Sequence, residues 1–231
     1  MTYNPPLAPT TIEWSAIDVR GDEARDFVQS QVSQDVARAS SEEIWTLLLQ
    51  PDGTVLTSGR LRSLDDGYRL TVPRALAASS LERLRRFHRR IRCTLELVST
   101  VEGPFATRAA QIDARWPLEG EYALALAPQS YGARFVEATV SFAKGCFTGQ
   151  ELVGRLDARG ANVPWRLAYV EGPTFERLAA AVASRGPASH PALTTWEPVG
   201  ARVRALAVVH RTLLDPAHLA TLEDVTITPV P

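Results

Sequence analysis

The sequence predicts an α+β protein, because hairpin turn motifs separate apolar segments with strand character and segments with helical periodicity flank them. The turns are Pro51-Asp52-Gly53 and Asp65-Asp66-Gly67, whose Asp-Gly steps favour tight hairpins. They separate apolar segments at residues 44–50, 54–63 and 68–72. The three segments together predict an antiparallel meander.

A helix is predicted ahead of this meander. Ala24, Phe27, Val28 and Val32 follow the spacing of one helical face, and Asp22 is a candidate N-cap. We expect this helix to be the first element after the N-terminal tail.

A second helix is predicted from Pro73, with Leu81, Leu84, Phe87 and Ile91 near helical spacing. Arginines fill other positions of the same stretch, namely Arg83, Arg85, Arg86, Arg89, Arg90 and Arg92. We interpret them as a solvated helix face. The alternative is a site for RNA or another polyanion, which the lack of interleaved aromatic residues beyond Phe87 disfavours.

A strand is predicted over residues 93–98. Cys93, Leu95 and Leu97 alternate with polar residues and share its apolar face. Cys93 is therefore predicted to be an inert, buried thiol.

The chain is predicted to contain three modules: an N-terminal α+β module over 1–100, a second module over 101–165, and a shortened β-rich module over 166–231. Prolines and glycines between about 100 and 135 predict linking or irregular structure. In this interpretation a domain boundary falls within that stretch.

The C-terminal part is expected to hold a strand near 163–170, a helix near 175–184 closed by Gly186, and a strand over 203–210. Residues 193–195 are a further candidate for a short strand remnant.

Composition limits the partners. The 231 residues carry 25 basic and 26 acidic side chains, so no global field attracts nucleic acid or anionic lipid. No leader-like segment or membrane-spanning apolar run is evident, so we expect a cytoplasmic protein. With two cysteines and no zinc-ligand spacing, we expect no metal site.

The most informative stretch runs from Phe142 to Leu156. Thr148 and Glu151 have the spacing of a capping box, which predicts a helix to about Arg159 that stops at Gly160.

Cys146 then lies just ahead of a helix N-terminus, where the helix dipole and Lys144 favour a thiolate. Gly145 and Gly149 allow a tight turn and the close approach of a ligand. Cys146 is thus a candidate nucleophile or transient metal ligand. The alternative, equally open from spacing alone, is a small buried residue between glycine turns.

Residues 144–151, Lys-Gly-Cys-Phe-Thr-Gly-Gln-Glu, resemble the YgfZ-family signature Lys-Gly-Cys-Tyr-x-Gly-Gln-Glu, with Phe147 in place of tyrosine. Residues 19–36 resemble the opening segment of that family, with Ser33 where threonine is usual. The resemblance covers residues 12 to 170 and extends through the 51–53 hairpin and the arginine-rich helix. The family belongs to the aminomethyltransferase-like superfamily of the glycine-cleavage T protein.

This resemblance implies small modules around a central cavity that accommodates tetrahydrofolate, and a function in iron-sulfur cluster assembly or repair. It implies iron-sulfur client or assembly proteins as partners. Catalytic roles fall on Cys146 and Lys144, and folate contacts on Gly145, Phe147, Gly149, Gln150, Glu151 and Arg155. Two cysteines cannot supply the four thiolates that usually hold a cluster, so we expect no permanent cluster.

Glycine cleavage itself is disfavoured. In the aminomethyltransferases of the superfamily an aspartate follows a Gly-Gly-hydrophobic-hydrophobic segment, and Thr57 takes its position in the matching segment 53–58. A neutral hydroxyl cannot act as the general base that a carboxylate supplies. A shifted alignment would bring Asp52 or Asp65 to the site instead.

Two other activities remain as alternatives. A folate-dependent aminomethyltransferase or demethylating enzyme would need a carboxylate at the cavity. A Cys-His hydrolase would need one of the histidines near Cys146, and the candidates are His88, His190, His210 and His218.

Overall fold

The computed structural model describes residues 10–40, 42–183, 193–219 and 222–231. Its first sheet is antiparallel and consists of β1 (Trp14–Arg20), β2 (Ile44–Leu49), β3 (Val55–Leu64), β4 (Gly67–Pro73) and β5 (Thr94–Val101). The strand order is β2-β3-β4-β1-β5. The predicted α+β class and the predicted meander are both confirmed.

The first element after the N-terminal tail is β1, so the prediction that a helix comes first was wrong. β1 lies between β4 and β5, and all its residues except Arg20 are buried. Its buried Asp18 accepts two hydrogen bonds from Arg69, at 2.6 and 2.7 Å. Because β1 is a central strand that is buried on both faces, it lacks the polar-apolar alternation that would have revealed it.

Helix α1 (Ala24–Gln31) buries Ala24, Phe27 and Val28 as predicted. Its N-cap is Glu23, which makes no side-chain capping bond, so the prediction that Asp22 is the cap was wrong. Asp22 instead lies 4.0 Å from the Arg92 guanidinium.

Helix α2 (Arg74–Arg85) ends before Phe87 and Ile91, and one of its arginines faces the core. Arg83 is 2% exposed, and its guanidinium donates to the Leu49 carbonyl at 2.9 Å and to Gln31 Oε1 at 2.7 Å. Burial lowers the pKa of Arg83 to about 10. The interpretation of the whole cluster as a solvated face was therefore wrong for Arg83.

Cys93 lies just before β5 and is only half-buried, so its predicted full burial was wrong. Cys93 and Leu95 pack against the core beneath α1 and α2, whereas Leu97 is 43% exposed. β5 is an edge strand, and its face is not covered at Leu97.

The stretch from 100 to 135, predicted to be irregular, contains α3 (Arg108–Ala114), α4 (Glu119–Tyr122) and a 3₁₀ turn (Pro128–Tyr131). α5 (Ala133–Thr139) follows directly. Each of these helices is too short to show a clear amphipathic period, which explains the error.

The second sheet is also antiparallel and has the order β7-β8-β6-β9. It contains β6 (Trp165–Gly172), β7 (Leu193–Val199), β8 (Arg202–His210) and β9 (Thr226–Pro229). In the chain, α6 (Gln150–Ala158) precedes this sheet and α8 (Pro216–Leu219) lies before its last strand. α7 (Phe175–Val182) packs against the sheet. The predicted closure of α7 at Gly186 lies outside the described residues, and the proposed module boundaries stay a prediction.

One core joins the two sheets. Leu47 of β2 and Leu206 of β8 both belong to it, together with an aromatic group around Trp116. The rings of Trp45 and Trp116 lie 4.3 Å apart between centroids. Phe147, within residues 144–151, packs against this core.

Candidate functional site

The signature segment, residues 144–151, occupies the loop after α5 and the first turn of α6. Two backbone hydrogen bonds of 3.0 Å attach this loop to the end of α1, one from Ser141 N to the Ser33 carbonyl and one from Thr148 N to the Ser30 carbonyl. The loop therefore has a defined conformation although it lacks regular structure.

Lys144 is the only lysine of the chain, and it holds the loop to the end of α1. Its Nζ donates to the carbonyls of Gln29, Val32 and Gln34 at 2.5, 2.7 and 3.2 Å. It also lies 5.1 Å from the centre of the Phe147 ring. Burial lowers the pKa of Lys144 to about 8, and the charge of Asp35 opposes this shift.

Cys146 is exposed, and a Cβ added at the neighbouring Gly145 would have nothing within 4 Å. No hydrogen bond or ion pair joins Lys144 to Cys146 within the described ranges, since the lysine uses its donors on α1. The thiol is accessible to reagents, and the alternative of a small buried residue at this position was wrong.

The predicted capping box is absent. The N-cap of α6 is Gly149, in a left-handed conformation with φ of 84°, and no side chain caps the helix. Gln150 Oε1 instead accepts a hydrogen bond from Phe147 N at 3.1 Å. Thr148 lies one residue too early to cap, because the glycine turn precedes the helix.

The neighbouring backbone leaves no room for a side chain at Gly149. A Cβ at this position would lie 2.6 Å from the Gln50 carbonyl oxygen and 3.1 Å from the Cα of Gly53. The close approach that we expected for a ligand is thus made by the β2–β3 hairpin at Gly149, whereas the surroundings of Gly145 are open.

A cleft of about 330 Å³ opens beside the loop and brings together several predicted site residues. Its lining includes Lys144, Phe147, Gln150, Glu151 and Arg155, but not Gly145, Cys146 or Gly149. Glu151 and Arg155 are exposed. Neither forms an ion pair within the ranges that the structure describes. We call this cleft of about 330 Å³ the signature cleft.

Thr57 is completely buried in β3, and its hydroxyl donates to the Ser58 carbonyl at 2.9 Å. Ser58 Oγ in turn accepts from Trp116 Nε1 at 3.2 Å and from the Tyr122 hydroxyl at 2.7 Å. The position predicted for the aspartate is therefore a buried hydroxyl whose hydrogen bond is made to the neighbouring backbone. Asp52 accepts two bonds from Thr54 within its own turn.

The histidines considered for a Cys-His pair are not seen beside Cys146. His88 contacts the Cys93 carbonyl at 2.7 Å, and His210 contacts the Thr212 hydroxyl at 2.9 Å. His190 and the side chain of His218 lie outside what the structure describes. No described histidine is thus shown in a position to act as a base toward Cys146.

Sequence reasoning missed two residues that border this region. Arg83 supports the segments of α1 and β2 against which the loop packs. Gln129 is 3% exposed and donates from Nε2 to the Val153 carbonyl of α6 at 2.9 Å. Neither residue leaves a signal in the sequence, because a buried arginine in an arginine-rich helix and a buried glutamine in a short turn break no apolar pattern.

Within the described ranges, no group of three or more His, Cys, Asp or Glu side chains is arranged to hold a metal ion. Nor does the described part of the chain contain a helix long and apolar enough to cross a membrane.

Two antiparallel sheets joined by an aromatic core define a mixed α+β fold. This fold is similar to that of glycine cleavage system aminomethyltransferase T from Bartonella henselae, with a TM-score of 0.56 and 14% identity. The alignment covers 88% of this chain and 78% of that one. The chain thus has the fold of a glycine-cleavage T protein.

A microcompartment protein from Desulfitobacterium hafniense aligns over 95% of this chain with a TM-score of only 0.22, too low to support an argument. No protein-family model and no curated protein matches the sequence.

Proposed function

We propose that this chain is a tetrahydrofolate-binding accessory protein that supports iron-sulfur cluster assembly or repair. The observation that carries the proposal is the signature cleft, which gathers Phe147, Gln150, Glu151 and Arg155 next to an exposed cysteine. The T-protein fold and the sequence resemblance both support it.

The cleft supplies the groups that a folate needs. Phe147 contributes apolar ring surface to the lining, and Arg155 carries a guanidinium suited to a carboxylate. Glu151 is an exposed acceptor at the same cleft. Lys144 and Gln150 fix the position of the loop that carries Phe147.

The surroundings of Thr57 support a function other than glycine cleavage. The T-protein chemistry implied by the resemblance requires a carboxylate near the folate amine, and here that position is a buried hydroxyl bonded to its own neighbour. A buried threonine cannot act as the general base.

The second candidate is a folate-dependent aminomethyltransferase or demethylating enzyme. One observation favours it, because Glu151 places a free carboxylate at the signature cleft. Turnover of a methylated or aminomethylated substrate with tetrahydrofolate, lost in Glu151→Gln, would select this candidate. Full rescue of iron-sulfur enzymes by Glu151→Gln without turnover would select the accessory function.

Tetrahydrofolate is expected to bind the intact protein, and Arg155→Ala should weaken this binding about tenfold, because a charge-assisted hydrogen bond is lost. Calorimetric titration measures both. Arg159→Ala is the matched control, since Arg159 is exposed one turn further along and does not line the cleft. Absence of binding up to millimolar folate would refute the folate assignment.

Cys146→Ala is expected to abolish rescue of iron-sulfur enzyme activity in a host lacking its own family member, whereas Cys93→Ala should spare it. Alkylation at neutral pH should also modify Cys146 first, because it is exposed while burial raises the pKa of Cys93. Mass spectrometry after brief alkylation locates the modified thiol. Full rescue by a folded Cys146→Ala protein would make this cysteine dispensable.

A further inference from the structure

A second cleft, of about 410 Å³, adjoins the signature cleft. Phe142 lines both clefts. A hydrogen bond also links them, because Gln129 of the second cleft donates to the carbonyl of Val153 in the first. The second cleft, which we call the Gln129 cleft, is formed largely by α5 and the residues around it.

Gln129 carries an acceptor that nothing satisfies. Its side chain is buried, and Oε1 has no hydrogen-bond partner among the described residues. The orientation of the amide is fixed, because Nε2 must face the Val153 carbonyl and the oxygen must then point elsewhere. Buried acceptors in proteins are nearly always paired, so this oxygen is left for a donor other than the described residues, either a ligand group or a water molecule.

Other groups of the Gln129 cleft suit the same kind of ligand. Glu137 and Asp157 line it as exposed carboxylates without an ion-pair partner in the described part of the chain. Phe142 is 52% exposed and presents an apolar surface between the two clefts. Arg166 also lines the cleft and donates to the Ala161 carbonyl at 3.1 Å.

We infer that the Gln129 cleft binds the aminopyrimidine head of the folate, while the signature cleft takes its glutamate tail. The head has adjacent N–H donors on one edge and a flat face, which match the acceptors Gln129, Glu137 and Asp157 and the ring of Phe142. The tail is anionic and matches Arg155. This inference rests on the proposed function.

The test uses the intact protein and three ligands: tetrahydrofolate, a reduced pterin without the tail, and p-aminobenzoylglutamate. Glu137→Gln and Asp157→Asn should each weaken tetrahydrofolate and the pterin about tenfold and leave p-aminobenzoylglutamate unchanged. Arg155→Ala should weaken tetrahydrofolate and p-aminobenzoylglutamate and spare the pterin. Glu176→Gln, an exposed carboxylate on α7, is the matched control.

Gln129→Leu should also weaken the pterin, and a denaturation curve first establishes that this variant is folded. If tetrahydrofolate binds the wild type while the pterin affinity is unchanged in both Glu137→Gln and Asp157→Asn, the head lies elsewhere and only this inference is overturned. If tetrahydrofolate does not bind the wild type at all, the proposed function fails, and the inference with it.

Discussion

Gly149→Ala is expected to lower the free energy of unfolding by about 3 kcal/mol, because a left-handed backbone and a steric clash both oppose the added methyl group. The residue has φ of 84°, and its new Cβ would lie 2.6 Å from a backbone oxygen of Gln50. A backbone atom cannot move aside as a flexible side chain can. Urea denaturation followed by far-ultraviolet circular dichroism measures the loss.

Two matched variants separate this effect from a general sensitivity of the segment. Gly145→Ala adds a methyl group with nothing within 4 Å and should change stability by less than about 0.5 kcal/mol. Thr148→Ala should be equally mild, since its side chain caps no helix. A Gly149→Ala protein as stable as these two would show that the contact with the β2–β3 hairpin is not essential.

The sequence predicted the α+β class and the meander because hairpin turns and apolar periodicity are local signals. β1 was missed because a central strand that is buried on both faces shows no alternation, and because the arginine that neutralises its buried Asp18, Arg69, comes from β4. The helices between 108 and 139 were missed because each is seven residues or shorter. Local patterns cannot report what tertiary packing stabilises.

In the site, too, local sequence signals and tertiary contacts have to be distinguished. The signature segment identified which residues to examine, and four of its predicted site residues line one cleft together with Arg155. Their roles could not be predicted, because they depend on segments far away in the chain: Lys144 bonds to the end of α1, and Gly149 contacts the β2–β3 hairpin. A spacing rule suggested capping by Thr148, but the backbone conformation of Gly149 decided otherwise.

The geometry around Lys144 explains why this basic position is a lysine in a chain whose other basic residues are all arginines. An ammonium group has three N–H donors on one nitrogen, and all three carbonyls converge on that atom. A planar guanidinium spreads its donors over a fork and cannot reproduce this arrangement. Lys144→Arg should therefore be destabilised like Lys144→Met although it keeps the charge.

Lys144→Met is expected to lower the free energy of unfolding by about 2 kcal/mol at pH 7, because three carbonyls lose a charged donor while the apolar stem is kept. Denaturation of wild type, Lys144→Met and Lys144→Arg at one pH provides the comparison. A Lys144→Arg protein as stable as the wild type would show that charge alone suffices at this position.

The stability that Lys144 contributes should also depend on pH in a defined direction. Its folded pKa of about 8 lies below the ordinary value of 10.5, so the unfolded chain binds more protons between these values. The stability of the wild type relative to Lys144→Met should then rise from pH 8 to about 10.5, by about 1 to 2 kcal/mol after allowing for partial solvation. Because the chain has one lysine, selective ¹⁵N-lysine labelling gives one side-chain signal whose titration reports this pKa directly. A midpoint above 10 would mean that the three carbonyls stabilise the ammonium more than burial destabilises it, and the stability difference should then be independent of pH up to that value.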